Sequence, residues 1–194
     1  MLVLVRHGRT AANANGLLLG RLDPPLDDLG KQQAHLLGQS LGSVRRVVSS
    51  PLARARETAA HIDGPLSIDE RWIELDYGEY DGVPLDKVPA EMWRSWRADL
   101  GFAPPGGESL LALAERVASA CEDLKDEAID HDIVVVSHVS PIKAAVAWAL
   151  GVDVVISWRT QLQPASITRV AVGRLGALLR TFNETSHLAD CPPA

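Results

Sequence analysis

Apolar and polar positions along this chain fall into short continuous runs and longer stripes at helical spacing. Leu2-Val3-Leu4-Val5 is wholly apolar and rich in β-branched residues, which predicts a strand buried on both faces. Ile133-Val134-Val135-Val136 is the clearest run of the same kind, and Val44 to Ser49 is a shorter one. Between them, residues 26–41 carry Leu26, Leu29, Gln33, Leu36, Leu37 and Leu41 on one side of a helix. Ser109 precedes a second helical stripe of Leu110, Leu113, Val117, Cys121 and Leu124. Ser50-Pro51 and Ser140-Pro141 each read as an N-cap followed by proline at the first helical position, opening helices to about Ala60 and to Leu150. Residues 167–172 and 177–182, joined through Gly173 to Gly176, read as a late pair of strands. Strands alternating with helices predict an α/β sandwich around a mostly parallel sheet.

Residues 78–108 depart from both periods and are rich in Pro, Gly and Trp. They are expected to form an irregular, lid-like excursion over one end of the sheet. No repeat or low-complexity stretch divides the chain, so residues 1–188 are expected to form one domain, with 189–194 a loose tail. The 194 residues suffice for one α/β core. A formal charge of −6 lacks the basic footprint of a nucleic-acid partner or a polybasic membrane patch. No apolar run approaches the ~18 residues of a spanning helix, and the first one is too short for a signal peptide. Cys121 and Cys191 are too few for a disulfide framework or a four-thiolate zinc site, and read as reduced thiols. A cytoplasmic location is expected.

Ligands of open α/β sheets bind beyond the carboxyl ends of the strands. The first strand ends in Arg6-His7-Gly8, the second runs through Ser49-Ser50 to Arg54, and the third ends in Ser137-His138. Chain alternation brings these ends to one edge, where the helices after them aim positive dipole ends and free N–H groups. Gly8 is expected to let the backbone approach a ligand. Singly, each of these residues is better explained by packing or a surface ion pair. Together, two histidines and two arginines point to a dianion, with phosphate the obvious candidate. His35, His61 and His131 lie on polar faces or loops and suggest no chemistry. The chain lacks a P-loop, a G-x-G-x-x-G fingerprint, a G-x-S-x-G elbow and any H-x-H or H-E-x-x-H pair, so no metal and no cofactor is expected. Cys121 has no arginine after it to cradle a thiolate-bound phosphate.

Leu4-Val5-Arg6-His7-Gly8-Arg9-Thr10, with Asn13 and Gly20, resembles the signature of the histidine phosphatase superfamily, in its phosphoglycerate mutase-like branch 1. The likeness continues in order. It runs through Pro25 to Gly30, Gln33-Ala34, Ser49 to Ala55, Thr58-Ala59, Glu74 to Gly78 and Asp81-Gly82. It resumes at Pro105 to Ser109 and Val135 to His138, and ends at Asn183 and His187-Leu188. It implies a three-layer α/β/α sandwich and a phosphohistidine enzyme. By this resemblance His7 is the nucleophile, and Arg6 and Arg54 keep it neutral by like-charge repulsion. Arg6, Arg54 and His138 hold the phosphoryl oxygens, with Asn13 and Gly20 as rim donors. Glu74 is the implied general acid, chosen by the resemblance alone among Glu70, Asp76, Glu79 and Asp81, most of which are expected to be solvated. Tyr77 either touches substrate or packs.

Many relatives carry glycine after the second histidine. Here His138-Val139-Ser140-Pro141-Ile142-Lys143 places a side chain there, leaving the Val139 N–H to donate to phosphate. This run looks like the version in histidine-phosphatase domains joined to an RNase H-like domain, for which 194 residues leave no room. Phosphoglycerate mutases of the family add an arginine pair in a longer insertion. This chain offers only Lys87, Arg94 and Arg97 between Gly78 and Glu108, among Glu79, Asp81, Asp86, Glu91 and Asp99. Hydrolysis of a small phosphorylated metabolite is therefore favoured over mutase activity, with an idle phospho-ligand-binding module as the remaining alternative. Trp93 and Trp96 share a helix face with Leu100, either packing the excursion down or lining the leaving-group pocket. Ala144 to Trp158 is apolar enough for core or for a homodimer patch.

Overall fold

The computed structural model describes residues 1–189 and 191; most of the expected tail, 189–194, lies outside the described residues. In chain order the elements are β1 (Leu2–Arg6), α1 (Ala11–Ala14), α2 (Asp28–Leu41), β2 (Arg46–Ser49), α3 (Ala53–Ala59) and β3 (Leu66–Ile68). They continue with α4 (Ala90–Ala98), α5 (Leu110–Asp130), β4 (Ile133–Ser137), α6 (Val139–Leu150), β5 (Ile167–Gly173) and β6 (Gly176–Glu184). The strands form one sheet in the order β3-β2-β4-β1-β5-β6. The first four are parallel, while β5 is antiparallel to β1 and β6 antiparallel to β5.

The strand sequences explain the layers. Alternate residues of a strand point to opposite faces, so each apolar run feeds two cores. Leu2, Leu4, Val48, Ile133 and Val135 face α5 and α6, whereas Val3, Val5, Val47, Val134 and Val136 face α2 and α3. The stripe of α5 is buried as its spacing requires, capped by the Ser109 hydroxyl on the Ala112 N–H. The sheet is thus covered by helices on both faces.

Four local expectations change. α3 starts at Ala53 with Leu52 as a cap that has no side-chain bond, so Ser50-Pro51 is a bend leading into the helix. α6 starts earlier, with His138 at its N-cap, which places Ser140 and Pro141 inside the first turn. Proline is tolerated there because first-turn N–H groups have no intrahelical acceptor. α2 buries Gly30, Gln33, Ala34, Leu37 and Gly38, with Leu36 and Leu41 only half-buried. Its glycines let backbone meet backbone: a Cβ on Gly30 would sit 2.0 Å from the Arg9 carbonyl oxygen. Finally, 78–108 is irregular at both ends but contains α4, whose Trp96 is buried against Leu18 and Val88. The short edge strand β3 carries too few apolar residues to have been predicted.

Candidate active site

β1, β2 and β4 end in register, Arg6 beside Ser137 and Ser49 beside Val136, so the three chemistry-bearing strand ends meet at one edge. The His7 N–H continues the ladder onto the Ser137 carbonyl. Segment 162–166 grips the same two residues from the other side. Arg6 Nη1 donates to the Leu162 carbonyl at 2.6 Å, the Arg6 N–H donates to Ser166, and the Ala165 N–H donates to the His7 carbonyl. Ala165 holds φ of +55°, in the left-handed region. The His187 ring lies 3.0 Å from its carbonyl, and Asn183 Oδ1 accepts from the Gln163 N–H.

Hydrogen bonds settle both tautomers. His7 Nδ1 lies 2.7 Å from the Gly8 carbonyl, which only accepts, so Nδ1 carries the proton and the Nε2 lone pair is free. His138 is the reverse. Arg54 Nε donates to its Nδ1 at 3.2 Å, leaving Nε2–H to donate to the Ser50 hydroxyl at 2.7 Å. The rings stand 5.0 Å apart, tilted by 58°. Burial pushes both imidazoles well below 6.5, and the neighbouring Arg54 and Arg6 charges push the same way. Burial likewise lowers Arg6, to about 10, and lowers Arg54, opposed in each case by the carboxylate of Glu74.

A cavity of about 270 Å³ is lined by Arg6, His7, Asn13, Glu74, Tyr77 and Val139, together with Leu17 to Leu19 and Leu85. Arg54 and His138 are fully buried behind it, bonded to each other. The guanidinium of Arg54 also donates to the carbonyls of Gly20 (2.7 Å) and Leu22 (2.6 Å). The Gly20 N–H, expected at the rim, instead meets Asp81 at 2.7 Å, and Asp81 also takes the Leu22 N–H. Asp81 is therefore not a solvated carboxylate; it clamps the loop that holds Arg54. Asp76 likewise accepts from the Gly78 N–H, while Glu70 and Glu79 are exposed. Asn13 closes a capping box with Thr10 through its Oδ1, which leaves its amide nitrogen for the cavity. Gly8 proves to serve packing: a Cβ there would lie 2.5 Å from the Gly30 carbonyl oxygen, and its N–H meets Thr58.

Glu74 sits on the N-terminus of α6, accepting from the Val139 and Ser140 N–H groups at 3.1 Å each. The Val139 amide expected to face phosphate thus holds a carboxylate here, as the positive end of a helix favours. Arg116 fixes the segment leading to Glu74. It pairs with both oxygens of Glu108 and donates to the carbonyls of Arg71 and Glu74. Nothing in the spacing of Arg116, in the middle of α5, signals that role. Tyr77 packs, its ring 5.7 Å from that of Trp96, and it also lines the cavity. Among the described residues no group of three or more His, Cys, Asp or Glu side chains is placed to hold a metal ion.

Fold and site together define an α/β protein that holds a buried, neutral histidine with an unbonded Nε2 beside two arginines at the sheet edge. The family model of the histidine phosphatase superfamily (branch 1) matches residues 2–185, and the chain belongs to that family. Phosphoserine phosphatase 1 of Hydrogenobacter thermophilus is 32% identical over 199 residues, covering 97% of this chain and 94% of its own. The bifunctional protein Rv2228c of Mycobacterium tuberculosis is 31% identical over 96% of this chain, which spans only 54% of that protein's length. A histidine-to-alanine mutant of phosphoserine phosphatase from Entamoeba histolytica, solved with phosphoserine, superposes with a TM-score of 0.89. It is 28% identical and covers 96% of this chain and 98% of its own.

Proposed function

We infer that this histidine phosphatase hydrolyses a small phosphate monoester through a phosphohistidine on His7 Nε2. The observation that carries this reading is the His7 tautomer: an imidazole neutral by burial, its Nδ1–H locked on Gly8, and its lone pair toward the cavity that Arg6 and Glu74 share. The Nε2–P bond forms as the ester P–O bond breaks, and the alkoxide takes a proton from Glu74. Water, deprotonated by Glu74, then displaces His7 from phosphorus. Arg6 stabilises the charge on the transferring group directly, having donors left after its bond to Leu162. Arg54 supplies positive charge and His138 an N–H donor from behind; when phosphate binds, Arg54 Nε–H leaves His138 Nδ1 and His138 Nε2–H leaves Ser50 for its oxygens. The Val139 N–H makes the same exchange from Glu74 as the carboxyl becomes protonated.

The relatives' names support a phosphometabolite substrate. The chain is proposed to act as one domain, with 78–108 covering the site, and in a reducing cytoplasm. No helix among the described residues is long and apolar enough to cross a membrane. Much of the Ala144 to Trp158 stretch goes into the core, leaving Leu150, Val152 and Val155 exposed as a small surface for any homodimer. Turnover of phosphomonoesters should persist in EDTA and vanish in His7→Ala, and Glu74→Gln should accumulate acid-labile, ³²P-labelled phosphohistidine. Full activity in His7→Ala would overturn the mechanism. Isomerisation of phosphoglycerate exceeding its hydrolysis would favour the mutase reading instead.

A further inference from the structure

A second cavity of about 280 Å³ adjoins the first, sharing Tyr77, Leu85 and Val139 with it. Its walls are mainly apolar and include four aromatic rings, those of Tyr77, Trp93, Trp96 and Trp158. Trp93 packs on Trp96 at 5.4 Å and edge-on to Trp158 at 6.4 Å, and all three line it. The one charged group on its walls is Lys143. Lys143 follows Val139 by four residues in α6, so the two share a helix face and stand about 6 Å apart along the axis. Lys143 is thus one helical turn past Val139, which the two cavities share, and its ammonium reaches the Ser157 carbonyl.

Lys143 is half-buried and donates one hydrogen bond, to the Ser157 carbonyl at 2.8 Å. Among the described residues no carboxylate pairs with it. An ammonium has three donors, and a partly desolvated one without a counter-charge is unfavourable. Burial lowers its pKa, while the Glu74 charge raises it and the Arg6 charge lowers it, which places Lys143 within the field of the catalytic cavity. A methionine or leucine would fill the same space without that penalty. An aromatic slot with an unpaired cation suits an apolar or ring-bearing skeleton that carries an anion.

Resting on the phosphatase reading, we propose that this second cavity receives the alcohol part of the substrate and that Lys143 binds a carboxylate on it. The substrate class is then a phosphorylated hydroxy acid with an apolar or aromatic skeleton, its carboxylate carried past Val139 into the second cavity. Lys143 sets specificity and takes no part in bond-making.

The test compares 4-carboxyphenyl phosphate with 4-carbamoylphenyl phosphate, which differ in charge at nearly constant shape. The wild type should favour the carboxylate in kcat/KM by about tenfold or more, chiefly through KM, as expected for a charge-assisted contact. Lys143→Met, which keeps the stem, should bring the ratio near one, and Lys143→Arg should restore the preference. A ratio near one in the wild type, or one unmoved in Lys143→Met, overturns the proposal while His7-dependent turnover of either ester leaves the phosphatase reading standing. Should neither ester turn over, that reading fails and the pocket is still decided by binding. Benzoate, and not benzamide, should saturably change tryptophan fluorescence in the wild type and lose that effect in Lys143→Met. Equal responses to both ligands, or a benzoate response unchanged in Lys143→Met, would count against it.

Discussion

At the scale of single residues, this site is a set of hydrogen-bond assignments. His7 and His138 are chemically identical side chains given opposite tautomers by a carbonyl in one case and a guanidinium in the other. The different roles proposed for them rest on that difference. Asp81 is the residue whose role most exceeds its appearance, because its two oxygens hold the two amides whose residues' carbonyls hold Arg54. In Asp81→Asn one oxygen becomes a donor facing an N–H, which should destabilise the loop by roughly 1–3 kcal/mol. Arg54 then loses its fixed position, so kcat/KM should fall about tenfold and the inhibition constant for inorganic phosphate should rise in parallel. Steady-state kinetics with phosphate as inhibitor checks both. Activity as a function of pH is a second check at this scale. Burial holds the His7 imidazole neutral well below 6.5, so kcat/KM should show no loss attributable to His7 as pH falls from 7.5 through 6.5.

At the scale of elements, close backbone approach places the strand end that carries His7. Gly8, after β1, rests on Gly30 in the first turn of α2, and Gly30 rests on Arg9. Gly30→Ala should gain about 1 kcal/mol of helix propensity. The added methyl, however, must displace the Arg9 carbonyl, and the resulting overpacking of roughly 1–3 kcal/mol wins. Thermal unfolding of Gly30→Ala should therefore begin several degrees lower, with reduced activity because the displaced segment directly follows His7. α6 works by charge as well as by packing: its N-terminus holds Glu74 and its second turn presents Lys143. One helix thus joins the Glu74 carboxyl to the second cavity.

At the scale of the whole molecule, burying two neutral histidines couples folding to pH. Their folded pKa values lie below the ordinary 6.5, so between those values and 6.5 the unfolded chain binds more protons. Stability then rises with pH across that window. The contribution is fully present above about 6.5 and is lost as pH falls through the folded values. Urea midpoints should drop between pH 7.5 and pH 5.5, and by less in a His7→Gln, His138→Gln double variant, whose groups do not titrate.

The same scales separate what was legible in the sequence. β1 and β4 were readable because a strand buried on both faces leaves a continuous apolar run, and α5 because a long helix against a sheet leaves a stripe. The meeting of Arg6, His7, Arg54 and His138 at one edge followed from chain alternation alone, and the ordered motifs named the family. Helix starts at Ser50-Pro51 and Ser140-Pro141 were misplaced, since a serine-proline pair fits a bend or a first turn equally well and distant contacts choose between them. Spacing said nothing of Arg116, and it marked Asp81 only as one carboxylate among several. The sequence by itself therefore determined the sandwich, the edge and the residue types of an anion site, because periodicity is a local property of the chain. Only the tertiary structure decided which nitrogen of each histidine carries the proton, which carboxylate clamps a loop, and that Lys143 faces a cavity walled by tryptophans. Those depend on partners brought together by the sheet from tens of residues away.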